Sequence, residues 1–247
     1  VGSEMCIRDS CDITGQTRND IIKYCFENSK RIYISPKISD IIIRGGTDIN
    51  LFDSPLLLCR NSGLSFEQRL FKRIFDIVVS VIGLIILSPF MLIIAAAIKI
   101  DDGGSIIYKQ KRLTINGKEF FVYKFRSMIP NAEKNGVPQL ATDSDSRITR
   151  VGKFLRKCRL DELPQLFNII KGDMSVVGPR PERPELTEKY EREMPEFKFR
   201  LKVKAGLTGY AQVTGVYDTT PYDKLKMDLM YIERYSMVMA VSYTHLR

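Results

Sequence analysis

Histidine is almost absent from this sequence, and tryptophan is absent altogether. The one histidine, His245, is the third residue from the end of the 247-residue chain. Because histidine is the usual side chain for proton transfer near neutral pH, its scarcity argues against a Ser-His-Asp triad and against metal sites built from several histidines. Any catalysis must therefore use carboxylates, lysine, arginine, tyrosine or cysteine.

Paired cysteine motifs are also missing. The five cysteines are scattered and form no C-x-x-C pair, which argues against a zinc or redox centre. Acidic residues are in deficit, because 38 Lys and Arg stand against 29 Asp and Glu and give a net charge of +9. This surplus suits nucleic acid, phosphorylated small molecules or an anionic membrane surface. The composition, 44% hydrophobic and 27% charged, excludes a disordered chain.

A long apolar run occupies residues 77–98, where 22 residues pass without a charge. Such a run is long enough to reach across a bilayer. The alternative is a buried helix of a soluble core, but soluble helices usually keep a polar face, and this run has only Ser80, Gly83 and Ser88. The run therefore favours membrane contact.

The dipeptide Ser88-Pro89 lies in the middle of the apolar run. Proline removes a backbone hydrogen bond and clashes with the preceding turn, so a bend is expected there. The bend predicts a re-entrant helix-break-helix over 66–100, with both ends on one face of the membrane. A straight span with a mild kink is the alternative, and the basic residues on both flanks do not decide between the two.

The segment before the apolar run has mixed helix and strand patterns. Apolar spacing predicts a helix over 17–30, and short strands are predicted at 31–35 and 40–44. This is too little for a stable domain, so we interpret 11–65 as the end of a larger α/β unit and the chain as a fragment. The first ten residues and residues 241–247 fit no periodicity and are interpreted as non-native.

Most of the surplus charge follows the apolar run. Residues 99–215 contain 23 Lys and Arg against 15 Asp and Glu, a net of 23 − 15 = +8. Alternating residues on both sides of Asn116-Gly117 predict a β-hairpin with a type I′ turn. Its second strand would carry Lys124 and Arg126 on one face. Both cations could instead belong to a solvated strand edge.

The next segment, 147–159, has six basic residues, no acid and apolar residues at helical spacing. It is predicted to form an amphipathic basic helix. A solvated face, a lipid-headgroup contact and a phosphate-binding wall are all compatible with it. Nucleic acid is disfavoured, since no nucleic-acid fold signature accompanies the charge.

An acid pair, Asp161-Glu162, follows directly. We expect Asp161 to cap a helix with Pro164 in its first turn, and Leu163, Leu166, Phe167 and Ile170 to form its buried stripe. The pair could serve as a helix cap alone. Adjacent carboxylates cannot easily flank a glycosidic bond, but they suit covalent phosphoryl transfer, with one attacking and the other holding a metal. Arg180, fixed between prolines in Gly178-Pro179-Arg180-Pro181, suits phosphate binding.

In this order, FKRIFDIVVSVIGLIILSPFMLI, QKRLTINGKEFFVYKFRSM, LRKCRLDELPQLFNIIKGDMSVVGPRPE and KAGLTGYAQVTGVYDT resemble the monotopic phosphoglycosyl transferases, which are bacterial sugar transferases. The resemblance covers about residues 66–239. Segment 11–65 is similar to the end of the α/β domain that precedes the catalytic part in polyprenyl glycosylphosphotransferases. The resemblance implies an α/β (α+β) catalytic domain over 101–240 with the re-entrant helix before it, and it decides in favour of a break at Ser88-Pro89.

The resemblance also implies the reaction. Asp161 would attack the β-phosphate of a UDP-sugar, release UMP and form a covalent sugar phosphate that polyprenyl phosphate accepts, while Glu162 would bind Mg²⁺ beside Asp161. Arg156 matches a phosphate-contacting arginine, and Arg180 and Pro181 match the turn associated with the nucleotide. Four further positions are assigned to substrate binding: Lys124, Arg126, Arg112 and Asp228. Many relatives have Gly-Arg where this chain has Gly215-Val216, which removes one cation.

The implied location is the cytoplasmic face of the bacterial inner membrane. A non-catalytic membrane-surface module that uses the basic helix is the alternative function. The identity of the sugar, the glycan pathway and a homo-oligomeric state are left open by the sequence.

Overall fold

The computed structural model describes residues 4–7, 14–51, 54–59, 63–129, 145, 147–215 and 219–235. The chain divides into two compact units, residues 1–59 and residues 60–247. The proposed non-native segment 241–247 and the departure at Val216 lie outside the described residues.

The first unit alternates short strands and helices: β1 (Glu4–Ile7), α1 (Gly15–Glu27), β2 (Arg31–Ile34), α2 (Ile38–Arg44), β3 (Thr47–Leu51) and β4 (Ser54–Leu58). β1 and β2 pair in parallel, with α1 as the crossover between them. β3 and β4 form an antiparallel pair. The predicted helix over 17–30 and the predicted strand at 31–35 are confirmed with slightly different bounds.

The predicted strand at 40–44 is wrong, because these residues form α2. Three consecutive isoleucines favour a strand by intrinsic preference. The carboxylate of Asp40, however, accepts a hydrogen bond from the Lys37 backbone N–H at 2.8 Å, which satisfies a free donor at the helix start. Asp40 also pairs with Arg18, and Ile41 is buried. Local capping and one buried contact therefore decide this segment.

The second unit begins with one long helix, α3 (Phe66–Asp102), and continues with short elements. These are β5 (Ile107–Leu113), β6 (Glu119–Phe125), α4 (Arg150–Lys157), α5 (Gln165–Lys171), β7 (Ser175–Val177), α6 (Pro184–Glu193), β8 (Gly206–Thr208), α7 (Tyr210–Thr214) and α8 (Pro221–Glu233). Turns of 3₁₀-helix lie at Leu160–Glu162 and Pro195–Lys202. The mixture of helices and small sheets confirms the predicted mixed helix and strand class, while the helix-break-helix before the domain stays a prediction.

Helix α3 has 37 residues, so it is about 55 Å long at the usual rise per residue. Its start is capped by Ser65, whose hydroxyl accepts from the Gln68 N–H, and it ends at Gly103 with a left-handed φ of 71°. An 18-residue stretch of this helix has a mean hydropathy of 2.9, and 6% of that stretch is buried inside the protein. A long, apolar and uncovered helix supports membrane association.

One stripe of α3 packs on the rest of the second unit. Lys72 donates to the Val177 carbonyl at 2.7 Å, and Asp76 accepts from the Val176 N–H at 2.9 Å, so its first turns are fixed to β7. Farther along, Ile94 and Ile98 enter a core with Phe125 and Leu155. The same domain therefore contacts α3 on both sides of Pro89.

The helix runs through Pro89 as one element. Proline has no N–H for the carbonyl four residues earlier, which here is Ile85. The Ser88 hydroxyl donates to that carbonyl at 2.9 Å and supplies the missing donor. This matters in an apolar environment, where an unpaired carbonyl is costly.

The predicted hairpin is confirmed as β5 and β6, which pair antiparallel from Ile107 with Phe125 to Leu113 with Glu119. Asn116 and Gly117 both have positive φ, 57° and 72°, as a type I′ turn requires. The backbone of β6 is held to α5 by one buried amide. Tyr123 N–H donates to Asn168 Oδ1 at 2.9 Å, and Asn168 Nδ2 donates to the Phe121 carbonyl at 2.8 Å.

Candidate active site

The acid pair lies on a 3₁₀ turn, Leu160–Glu162, between α4 and α5. The prediction that Asp161 caps the following helix is wrong, since that helix begins at Gln165 with Pro164 as its cap residue. Arg159 has a left-handed φ of 55°, which ends α4 and redirects the chain. The turn is closed by hydrogen bonds from Glu162 N–H to the Arg159 carbonyl and from Leu163 N–H to the Leu160 carbonyl.

The buried stripe predicted for this helix is partly wrong. Leu166 is buried and Leu163 and Ile170 are half-buried, but Phe167 is 51% exposed. Ile169 and Asn168 occupy the fully buried positions instead. The helix starts three residues later than predicted, and the polar Asn168 faces inward to bind the β6 backbone.

Two cations converge on Glu162 from different parts of the chain. Lys124, on β6, places its ammonium 2.9 Å from Glu162 Oε1. Arg180, in the loop after β7, places Nη2 3.4 Å from the same oxygen. The structure therefore brings together four of the predicted site residues, Asp161, Glu162, Lys124 and Arg180.

The environment separates the pKa values of the two carboxylates. Burial raises the pKa of Asp161, and the negative charge of Glu162 adds to this, while Lys124 and Arg156 act in the opposite direction without cancelling it. Burial would also raise the pKa of Glu162, but Lys124 and Arg180 outweigh it and hold that pKa below its ordinary value. Neighbouring acids with opposite shifts are typical of sites where the two groups have different roles.

The predicted basic helix is confirmed as α4, which is shorter than expected. Its cap is Thr149, whose hydroxyl accepts from the Gly152 N–H at 2.9 Å. Leu155 is buried in the core that α3 shares, and Phe154 is exposed. Arg156 lies on the last turn, where its charge acts on Asp161.

Close backbone packing fixes the loop that carries Arg180. Gly178 N–H donates to the Thr208 carbonyl and Gly206 N–H to the Pro179 carbonyl, both at 2.8 Å. A Cβ at Gly178 would lie 2.5 Å from the Lys204 carbonyl, and one at Gly206 would overlap the Gly178 backbone. Only glycine permits this close approach, so the backbone at the start of the loop is fixed in one conformation.

Arg112, Asp228 and Arg126, which the sequence assigned to substrate binding, occupy other positions. Arg112 donates to the Pro181 carbonyl at 3.1 Å, beneath the loop. Asp228 is 1% exposed and lies 2.8 Å from Arg200 Nη2. Arg126 follows the end of β6 and packs its guanidinium against Gly104. Their assignment to substrate binding stays a prediction.

Arg200 and Glu182 were missed by the sequence analysis. Arg200 binds the loop backbone and two acids, and Glu182 lies 3.6 Å from Arg200 Nη1. The only available signal was Asp228, a lone acid among apolar residues of α8, because a buried charge needs an opposite charge nearby.

A magnesium ion fits the two carboxylates on chemical grounds. In the part of the chain that the structure describes, no three His, Cys, Asp or Glu side chains gather into a metal cluster. Mg²⁺ usually takes one or two protein carboxylates and completes its shell with water and substrate phosphates. Both cations contact Oε1 of Glu162. Asp161 and Glu162 therefore supply a donor set of the expected size.

Comparison with known proteins gives a consistent answer. The family model described as bacterial sugar transferase matches residues 67–245. A UDP-N-acetylgalactosamine-undecaprenyl-phosphate N-acetylgalactosaminephosphotransferase of Aeromonas hydrophila is 43% identical over 169 residues, which are 67% of this chain and 40% of the relative. A UDP-glucose:undecaprenyl-phosphate glucose-1-phosphate transferase of Klebsiella pneumoniae is 42% identical over 200 residues, 79% of this chain and 41% of the relative.

A third relative is named for another sugar. The undecaprenyl-phosphate galactose phosphotransferase of Salmonella typhimurium is 39% identical over 196 residues, 74% of this chain and 40% of the relative. The chain spans about two fifths of the length of these relatives. The family model covers most of the chain, including the acid pair and the loop of Arg180. The chain belongs to the bacterial sugar transferase family.

Proposed function

We propose that this chain transfers a sugar 1-phosphate from a UDP-sugar to undecaprenyl phosphate and releases UMP, as an early membrane step of glycan synthesis. The main observation in support is that Lys124 and Arg180 converge on an acid pair whose two pKa values are shifted in opposite directions. The names of three relatives support the class of donor and acceptor.

In the first step, the ionised carboxylate of Asp161 attacks the β-phosphorus of the UDP-sugar. A bond forms from the carboxylate oxygen to phosphorus, and the bond from phosphorus to the bridging oxygen breaks, so UMP leaves with that oxygen. A raised pKa makes this carboxylate the more basic and stronger nucleophile of the pair. Lys124 and Arg180 would bind the negative charge of the phosphates.

In the second step, a phosphate oxygen of undecaprenyl phosphate attacks the same phosphorus. The bond to Asp161 breaks, the carboxylate is restored, and the product is an undecaprenyl diphosphate sugar. Asp161 and Glu162 would hold Mg²⁺ during the cycle. When bound, the ion would neutralise diphosphate charge.

We further propose that α3 is re-entrant and bends at Ser88-Pro89 in the bilayer, on the cytoplasmic face of the inner membrane. Lys72 on one side of the break and Ile98 on the other both contact the domain that carries the acid pair. A straight span would carry one of these ends to the far side of the membrane. The Ser88 hydroxyl on the Ile85 carbonyl lowers the cost of interrupting the helix in lipid.

The test uses the chain in nanodiscs with undecaprenyl phosphate, Mg²⁺ and a panel of UDP-sugars, and measures UMP release. With a donor labelled in the sugar, the wild type should retain label on the protein when acceptor is omitted, and Asp161→Asn should retain none. UMP release by Asp161→Asn at the wild-type rate would refute the nucleophile. Salt-sensitive lipid binding with no turnover for any donor would favour the non-catalytic module instead.

A further inference from the structure

The segment Arg180–Pro181–Glu182 has no regular secondary structure, yet its backbone is fixed. Its three consecutive carbonyls all accept hydrogen bonds. Arg200 Nη2 donates to the Arg180 carbonyl at 2.9 Å, Arg112 Nη1 to the Pro181 carbonyl at 3.1 Å, and Leu113 N–H to the Glu182 carbonyl at 3.1 Å. The conformation of this segment therefore depends on groups that are distant in sequence.

Arg200 is the most enclosed of these groups, since its side chain is 6% exposed. Its Nη2 lies 2.8 Å from Asp228 Oδ2, and its Nη1 lies 3.6 Å from Glu182 Oε1. The ring of Phe197 lies 4.9 Å from the guanidinium carbon. The planar guanidinium thus joins the Pro195–Lys202 turn, α8 and the loop, and its orientation leaves it little freedom.

We propose that Arg200 is a positioning residue for sugar phosphate transfer, and that it acts through Arg180. The inference rests on the proposed function. Arg200 fixes the carbonyl of Arg180, and the side chain of Arg180 reaches Glu162 Oε1 at 3.4 Å. Arg200 is buried under the loop and too enclosed to bind substrate. Its contribution is to orient Arg180, which is exposed enough to bind substrate.

Asp228 completes the arrangement. A buried guanidinium is costly without an opposite charge, and Asp228 supplies that charge from α8 while itself being 1% exposed. Its part is to hold Arg200 in place. This gives the acid a role in the site without contact with substrate.

A double-mutant cycle tests whether Arg200 acts through Arg180. The single variants Arg180→Met and Arg200→Met should each lower kcat/KM for the UDP-sugar about tenfold or more, and the double variant should lie within about twofold of Arg180→Met, because coupled residues are not additive. Arg200→Lys keeps the charge but loses the planar donor geometry of the guanidinium, and should recover part of the loss in kcat/KM. Multiplicative effects of the two single changes would overturn the proposal.

Tyr231→Phe is the matched control for stability. The Tyr231 hydroxyl donates to the Val177 carbonyl at 2.9 Å from the same helix as Asp228. Removing it deletes a buried hydrogen bond close to the loop without touching Arg200. For a comparable loss of melting temperature, the decrease in kcat/KM should be far larger in Arg200→Met than in Tyr231→Phe. Equal losses in both variants would overturn the proposal.

Amide hydrogen exchange tests the positioning role without turnover. Arg200→Met should speed exchange at Leu113, whose N–H is bonded to Glu182, and in peptides covering 178–187, while Tyr231→Phe should leave Leu113 unchanged. Unchanged exchange in Arg200→Met would refute the positioning role. A wild type that releases no UMP would instead refute the proposed function. Where Arg200→Met does not fold, Arg200→Lys and Asp228→Asn enter the same cycle and exchange measurement.

Discussion

The ammonium of Lys124 lies 2.9 Å from Glu162 Oε1, and this ion pair joins the second strand of the hairpin to the turn that carries both carboxylates. Both side chains are largely buried, so the pair is only weakly screened by solvent. Asn168 holds the backbone of the same strand at Phe121 and Tyr123, directly before Lys124. The cation is therefore fixed at both its backbone and its charged end.

Replacing Lys124 with Met should lower kcat about 30- to 100-fold, which corresponds to about 2–3 kcal/mol for a charge-assisted hydrogen bond in a partly buried site. Lys111→Met is the matched control on the other strand of the hairpin, since the Lys111–Glu119 pair is exposed and such pairs contribute little. We expect the control to keep nearly full UMP release. A similar loss in both variants would contradict a specific role for Lys124.

Glu162→Gln should raise the Mg²⁺ concentration needed for half-maximal UMP release, because one carboxylate of the proposed donor set is lost. Chelation with EDTA should stop the wild type, and added Mg²⁺ should restore it. Glu119→Gln, an exposed change on β6, is the control. An unchanged Mg²⁺ requirement in Glu162→Gln would exclude Glu162 as a ligand.

Asp228 predicts a pH dependence of stability. Burial raises its pKa from 3.8 to about 6, and Glu182 adds to this while Arg200 opposes it. A folded-state pKa above the unfolded value favours folding below the unfolded pKa, and this contribution is lost as pH rises through the folded pKa. Between pH 4 and pH 7, the free energy of unfolding of the wild type should fall by about 2 kcal/mol relative to Asp228→Asn.

Thermal unfolding of both proteins in detergent over that pH range measures this difference. Other titrating groups are common to both proteins and cancel in the comparison. A wild-type advantage that grows as pH rises would give the opposite sign, and would mean that Arg200 lowers the pKa of Asp228 more than burial raises it.

Replacing Pro89 with Ala should remove the proposed bend of α3 in the bilayer, because Ala restores the N–H that the Ile85 carbonyl lacks. In a background with the native cysteines replaced by serine, single cysteines at Phe66 and Ile100 report the side of the membrane. The wild type should label at both positions from the cytoplasmic side. Pro89→Ala should shift one of them, whereas Ser88→Ala, which removes one hydrogen bond, should keep the topology. Labelling from opposite sides in the wild type would contradict a re-entrant helix.

Local chemistry made the hairpin predictable, since Asn116 and Gly117 are residues that tolerate positive φ. The apolar helix was equally readable from its composition. The predictions for segment 40–44 and for the start of α5 were wrong. The Asp40 cap decides the conformation of the first and the left-handed φ of Arg159 decides that of the second, and neither has a periodic signature.

Contacts between residues far apart in the chain could not be predicted from the sequence. Asp161 and Glu162 were predicted as a pair, but the approach of Lys124 and Arg180 depends on how β6 and the loop after β7 pack. Lys72 bonds to a residue 105 positions away, and Arg200 to a carbonyl 20 positions away. No periodicity encodes such partners; only a lone acid in an apolar stretch hinted at one of them.

If undecaprenyl phosphate is the acceptor, as proposed, the contacts that α3 makes on both sides of Pro89 have a consequence for how this lipid is found. A domain on a flexible tether would sample many heights above the bilayer, and its site would meet lipid phosphates only in a fraction of them. Here Lys72 and Ile98 fix the domain to the helix at two points. The proposed site would then be held at one depth, and its search for the acceptor would be reduced to lateral diffusion in two dimensions.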